Sequence, residues 1–291
     1  MDELPGGDAT SLERRILAWA RGRLEGAPST GWRGYLVEFL VFGIKQAWAC
    51  VFGALMLLVL VVTAVAYPEA AALDRNDLLV LLAVAIQVGM VLGRLETGRE
   101  LWVVVLFHVA GTGMELFKTS VGSWSYEGGG VLHLGAVPLY SGFMYAAVGS
   151  YLVRVMRLFD LRFTRYPPLW ATVLVAAGIY ANFFTHHYVI DLRYVLLAAV
   201  LLLWGRCVMH FRVHRHVLRM PVVVAFALVA FFIWIAENVA TAAGAWLYPS
   251  QLDGWEVVPF TKFVSWFLLM IISVVLVTFV YRPKEPEAAR A

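Results

Sequence analysis

The stretches MELFKTSVGSWSY, Met114 to Tyr126, and AENVATAAGAWLY, Ala236 to Tyr248, carry the same polar punctuation in apolar surroundings. In the first, Glu115, Thr119, Gly122, Trp124 and Tyr126 stand at the spacing of Glu237, Thr241, Gly244, Trp246 and Tyr248 in the second. A Val-Pro pair follows each, Val137-Pro138 and Val258-Pro259, with one residue of drift. Glu, Thr, Gly, Trp, Tyr and Pro are the uncommon letters in a chain this rich in Leu and Val, so the match points to an internal duplication rather than to chance. A carboxylate repeated at one depth of an apolar segment is also the strongest pointer to function, because an ionisable group in lipid is costly and commonly lines a site.

The rest of the chain sets the class. With 61% hydrophobic and 15% charged residues among 291 and a mean hydropathy of +0.76, it is too apolar for a water-soluble domain and reads as a multispanning membrane protein. Apolar runs long enough to cross a bilayer lie near 46–67, 77–93, 100–119, 131–153, 168–185, 191–209, 218–240 and 258–281, which predicts an all-α polytopic protein of about eight transmembrane helices. Counted along the connections, Lys and Arg alternate without a break, 19 on one side against 4 on the other. The positive-inside rule then puts both termini and the basic loops in the cytoplasm. The net charge of +3 is topological and not a sign of nucleic-acid binding. Membrane lipids are the expected partners.

Matching the third span to the seventh also brings Val80–Ala85 (VLLAVA) opposite Val195–Val200 (VLLAAV). The expected organisation is a cytoplasmic region over 1–45, a first four-helix repeat over 46–160, a second over 161–281 and a disordered tail over 282–291. An even number of helices per unit makes the repeats parallel, related by an axis near the membrane normal. Ser11 to Gly26 reads as an interfacial amphipathic helix and not as a cleavable signal peptide. Cys50 and Cys207 lack metal or redox spacing and are expected to be packing residues.

Glu115 falls about 24 Å beyond Arg99 along a helix, and Glu237 comes to a similar depth from Arg219. His108, two turns before Glu115, shares its helix face with Gly111, Thr112, Lys118 and Thr119. Glu115, Glu237 and His108 are therefore the candidate catalytic residues, and the Gly and Thr positions fit a packing seam equally well. Lys118, one turn beyond Glu115, and Lys262, three residues after Pro259, are placed to neutralise the two carboxylates. Trp124, Tyr126, Trp246 and Tyr248 lie where the chain leaves the bilayer, as lining of a pocket mouth or as an aromatic belt. His186 and His187 in the connection after the fifth span, and Asn238 beside Glu237, complete the candidate binding set. Adjacent histidines cannot both project from one helical face, which argues against a metal there. The cytoplasmic His210, His214 and His216 sit among Arg206, Arg212, Arg215 and Arg219 and read as a solvated basic loop. No metal or cofactor is expected.

The strings Phe107-His108, MELFKTSVGSWSYE from Met114, VPLYSGFMYAAVGSY from Val137, RLFDLRFTRYP from Arg157, NFFTHHY from Asn182, DLR from Asp191 and AENVATAAGAWLYP from Ala236 resemble the bacterial membrane family called domain of unknown function 817. The likeness runs from about Glu38 to Tyr281 and implies no particular activity. In that family the cytoplasmic loop is basic without being His-rich. The membrane glutamate, the downstream Gly with aromatics and the Val-Pro opening the next helix are also similar to a pattern in membrane carotenoid hydratases and the small-subunit type of lycopene cyclase. That likeness implies acid–base chemistry on an isoprenoid double bond without a redox cofactor. Three readings stay open from the sequence: an enzyme acting on a lipid or isoprenoid at the seam between the halves, a proton- or cation-coupled transporter using the same seam, and a lipid-binding or scaffold protein without turnover.

Overall fold

The computed structural model describes residues 31–286 apart from 69, 94 and 97, together with 14, 15, 18, 19, 21 and 22. The expected interfacial helix over 11–26 and the last residues of the tail lie largely outside the described residues. The described chain is mostly helical. Its helices are α1 Trp32–Ala49, α2 Val51–Ala66, α3 Arg75–Leu92, α4 Gly98–Ser120, α5 Tyr140–Leu158, α6 Leu169–Thr185, α7 Arg193–Trp204, α8 Val222–Ala242 and α9 Lys262–Val280.

The breaks between helices follow from local chemistry. Asp74 caps α3 by accepting from the Asn76 N–H, a standard use of a short carboxylate at a helix start. Pro168 and Pro221 stand immediately before α6 and α8, where a residue without an N–H costs nothing. Gly122 and Gly244 end α4 and α8 in the left-handed region, at φ 69° and 63°. Each end carries the same two bonds, Gly122 N–H to the Thr119 carbonyl with Ser123 N–H to Lys118, and Gly244 N–H to Thr241 with Ala245 N–H to Ala240. This is the Schellman closure, and it is why glycine recurs at that spacing.

By length and composition, α3, α4, α8 and α9 can each cross a membrane, and α1 with α2 would count as a fifth span, bent by 63° at Cys50. Every one of the eight apolar runs holds a helix, but α2, α6 and α7 have only 16, 17 and 12 residues. Apolar side chains on several helices face outward, among them Val65, Val109, Leu202 and Phe232. Charged ones such as Glu100, Glu115, Arg154 and Glu237 are buried. That inversion of the usual pattern fits an apolar solvent around the helices.

Several expectations are refined. The mostly helical chain also carries short strands: β1 His133–Leu134 and β2 Val137–Pro138 form a hairpin, and β3 Arg162–Thr164, β4 Val208–Arg212 and β5 Val217–Pro221 form a three-stranded antiparallel sheet. The fourth and sixth apolar runs are therefore helical only in part, α5 starting at Tyr140 after the hairpin and α7 stopping at Trp204 before β4. The basic loop expected around His210 is ordered as the β4–β5 hairpin, with His210 Nε2 2.7 Å from the Thr164 hydroxyl across the sheet. The segment before residue 46 also belongs to the fold. α1 packs on α5, and Lys45 Nζ donates to the Leu158 and Val213 carbonyls at 2.8 and 2.5 Å. The start of the tail is docked as well, since Phe163 N–H donates to the Lys284 carbonyl.

Two large apolar clusters divide the interior. One gathers Phe52, Met56, Ala83, Val104, Phe107 and Val153 from α2, α3, α4 and α5; the other gathers Ile179, Val200, Trp204, Phe226 and Ile271 from α6, α7, α8 and α9. α9 packs against α4 and α5, and α2 against α8, so that these pairs join the two groups. At the end away from the sheet the two post-helix loops meet directly. Ser125 and Leu247 exchange both backbone bonds, each N–H donating to the other's carbonyl at 2.9 Å.

Candidate functional site

A cavity of about 1110 Å³ runs along the seam between the two groups of helices. At its sheet end the wall is apolar, with Phe159, Phe163, Met209, Phe211 and Met220. Its middle is lined by Met144, Val148, Leu152, Val229, Phe232 and Leu269. Its loop end is polar, with Glu115, Glu237, Lys118, Lys262, His186 and His187.

Glu115 projects from α4 with its residue 3% exposed, and Glu237 projects from α8 with the same 3%. Glu115 Oε2 accepts from the Trp124 indole and the Tyr126 hydroxyl, and Oε1 from the Tyr145 hydroxyl, all at 2.7 Å. Glu237 Oε1 accepts from the Tyr248 hydroxyl at 2.5 Å and Oε2 from the Trp266 indole at 2.6 Å. The pattern has chemical content. An indole N–H can only donate, so Oε2 of each carboxyl group must be an acceptor. A phenol both donates and accepts, so Oε1 of each group can be a bare oxygen that accepts from Tyr145 or Tyr248, or a hydroxyl that donates to it. Each carboxyl oxygen therefore keeps a partner in either protonation state, the phenol hydrogen rotating away from the carboxyl group in the neutral form. Burial, followed by the nearby carboxylates, holds the loop phenols Tyr126 and Tyr248 well above their ordinary pKa, so they keep their protons.

The two carboxyl groups belong to one cluster. The Trp124 ring meets the Tyr248 ring edge-on at 6.1 Å, so a Glu115 ligand touches a Glu237 ligand. Lys262 Nζ sits 4.1 Å from the centre of the Tyr248 ring.

The lysines expected to neutralise the glutamates do not touch them, although Lys262 stays within electrostatic range of Glu237. Among the described residues neither Lys118 nor Lys262 forms an ion pair. Lys118 Nζ lies 3.0 Å from His187 Nε2 and 3.5 Å from His186 Nε2, with the Phe183 ring at 4.7 Å. The expectation that adjacent histidines diverge fails here too. His186 caps α6, so the backbone has left the helix by His187, and the two rings stand 4.1 Å apart over the same ammonium group. Burial first, then the charge of Lys118, lowers the His187 pKa, which leaves a neutral ring able to accept from the lysine. Asn182 holds this connection, donating to Asp191 and accepting from the Leu192 N–H. Asp191 in turn pairs with Arg193 at 2.6 Å.

Of the remaining candidates, Trp124, Trp246 and Tyr248 line the cavity, and Tyr126 stands behind Glu115. His108 and Asn238 are not brought to the cavity wall. The His108 ring packs over Gly142 and edge-on to Phe143 at 5.0 Å. Asn238 bonds the Trp234 carbonyl and the Val258 N–H, tying α8 to the segment before α9. Two ligands of the glutamates were not anticipated, Tyr145 and Trp266. Each stands seven residues after the proline of its Val-Pro pair, Pro138 or Pro259, and that shared offset is the signal that would have found them. Among the described residues no three His, Cys, Asp or Glu side chains are grouped to hold a metal.

The chain is 42% identical over 254 residues to a Bacillus subtilis protein called uncharacterized protein YoaT, covering 87% of this chain and 96% of the relative. Among solved structures, a cross-linked MvINS trimer matches at 15% identity with a TM-score of 0.46, over 65% of this chain and 98% of that one; at that score the likeness is too weak to carry an assignment. The family model described as protein of unknown function (DUF817) matches residues 38–274, and with most of its length inside that match the chain belongs to the DUF817 family.

Proposed function

We propose that the protein is a multi-pass inner-membrane protein that takes a lipid or isoprenoid into the seam cavity and acts on it by acid–base chemistry through Glu115 and Glu237. In this reading α2 to α9 are the eight spans, arranged as two parallel four-helix repeats, with both termini cytoplasmic. The repeat is supported by matched contacts at matched positions: the Schellman closures at Gly122 and Gly244, the aromatic donors to each glutamate and the Ser125–Leu247 exchange.

The observation that carries the function is the cavity itself, apolar over most of its length and ending at two carboxyl groups with bistable partners. A volume of about 1110 Å³ lies just above the roughly 300–1,000 Å³ usual for small-molecule sites. Its apolar length suits a hydrocarbon chain. A carboxyl group that keeps partners on both oxygens in either protonation state can give up and take back a proton with only a phenol hydroxyl rotating, which suits general acid–base work. The transporter alternative is less well supported, because an apolar lumen offers a permeating ion no replacement for its hydration shell.

The test is mass spectrometry of the lipids that co-purify with the wild type and with the Glu115→Gln/Glu237→Gln variant, each checked for folding. A defined lipid or isoprenoid retained by the wild type, and accumulating unconverted or lost in the variant, supports the proposal. The same bulk phospholipid in both sinks it.

A further inference from the structure

Lys118 and Lys262 are positive charges at the polar end of an apolar cavity, and among the described residues no carboxylate pairs with either. A buried charge left without a counter-ion is strongly unfavourable. The lone pairs of Glu115 and Glu237 are directed at indole and phenol donors, and Asp191 is engaged by Arg193. The two lysines lie near enough for their like charges to interact, with Arg193 adding to the repulsion and Asp191 opposing it. What this end of the cavity lacks is an anion in direct contact with either ammonium group: Glu237 acts on Lys262, and Asp191 on Lys118, only at longer range.

Resting on the lipid-cavity reading, we propose that the cavity binds an amphiphile with a phosphate head, the head held between Lys118 and Lys262 beside His186 and His187, and the tail running toward Phe163 and Met209. The donors come from three directions, α4, the start of α9 and the connection after α6. Point-like ammonium donors arrayed in this way suit a tetrahedral group with several oxygens, whereas a carboxylate head is best met by a planar fork. The glutamates need not oppose the head, because each can take up a proton and donate it to the neighbouring phenol oxygen, so an anion can enter without leaving two ionised carboxylates beside it. A phosphate monoester of a long isoprenoid alcohol and a phosphatidic acid present the same head, and the structure favours that head over either tail.

The experiment uses the full chain in detergent micelles and measures affinity for geranylgeranyl phosphate and for dioleoyl phosphatidic acid. Controls are geranylgeraniol, dioleoylglycerol, oleic acid and inorganic phosphate. Either phosphate lipid should bind about tenfold or more tightly than its neutral counterpart, in keeping with charge-assisted bonds to the head. Which of the two binds better identifies the tail. Lys118→Gln/Lys262→Gln should erase the preference without weakening the neutral amphiphile, and Lys118→Arg/Lys262→Arg should restore most of it. Neutral counterparts or oleic acid binding the wild type as tightly as the phosphates would overturn the head assignment while leaving the lipid cavity intact, and this comparison needs no variant to fold. Inorganic phosphate binding as well as the lipids would overturn the tail. Failure of every amphiphile to bind would remove the cavity reading and this proposal together.

Discussion

At Glu115 and Glu237 the chain solves one problem twice, by satisfying a buried carboxyl group with neutral donors and leaving the nearest lysines to other partners. This predicts how substitutions rank. Gln can turn its carbonyl oxygen toward the indole and its amide toward the phenol oxygen, so Glu115→Gln should cost under about 1.5 kcal/mol. Glu115→Ala strands the donors of Trp124, Tyr126 and Tyr145, each unmet donor costing about 1–3 kcal/mol, and should lower the melting temperature far more. Thermal unfolding of both variants in one detergent checks the order; an Ala variant as stable as the Gln one would remove the hydrogen-bond account. The glutamates and their loop partners Trp124, Tyr126 and Tyr248 were legible in the sequence because rare letters recur there at one spacing. Tyr145 and Trp266 were not, since each lies in the next helix as one aromatic among many and the two copies differ in residue type. The contact of Lys118 with two histidines was hidden for another reason. The rule that neighbouring residues diverge holds inside a helix, and His187 is already outside one.

Among the elements, α4 and α5 share the most extensive contact, and their glycines set how near they come. A Cβ at Gly111 would fall 2.5 Å from the Tyr145 ring, and one at Gly149 2.8 Å from Phe107. At Gly113 the nearest atom would be the Tyr180 hydroxyl at 3.8 Å. Gly111→Ala should therefore push Tyr145 off Glu115 and destabilise by about 1–3 kcal/mol. Gly113→Ala should be neutral or stabilising, by up to about 1 kcal/mol from helix propensity. A melting comparison of the pair reads the difference, and equal effects would mean that the α4–α5 approach is looser than described. Eight helices could be located from apolar runs, because a run of that length has few alternatives. Their ends could not, since the run continues into β4 after Trp204 and begins in β1 before Tyr140, and strand and helix are equally apolar there. α1 was missed because Glu38 and Lys45, both buried, break the apolar stripe by which a helix is recognised.

Over the whole molecule, charge and cavity run along one axis, with the sheet and the arginine-rich hairpin at one end and the glutamate loops at the other. If the positive-inside reading holds, single cysteines at Gly129 and at Arg215, in a background lacking Cys50 and Cys207, should label oppositely. In intact cells an impermeant maleimide should modify the first alone, and after permeabilisation both. Labelling of the Arg215 site in intact cells would reverse the orientation. The exchange of bonds between Ser125 and Leu247 carries a consequence for origin. Each of these residues stands ten positions after a glutamate, Glu115 or Glu237, which makes them counterparts in the proposed repeat, and they pair with one another. A strand position that bonds to its own counterpart is self-complementary, the mark of contact between identical copies. If the halves are the repeats proposed above, a single half before fusion would have met a second copy of itself through this one pair of residues, closing a homodimer whose site was already shared between the partners.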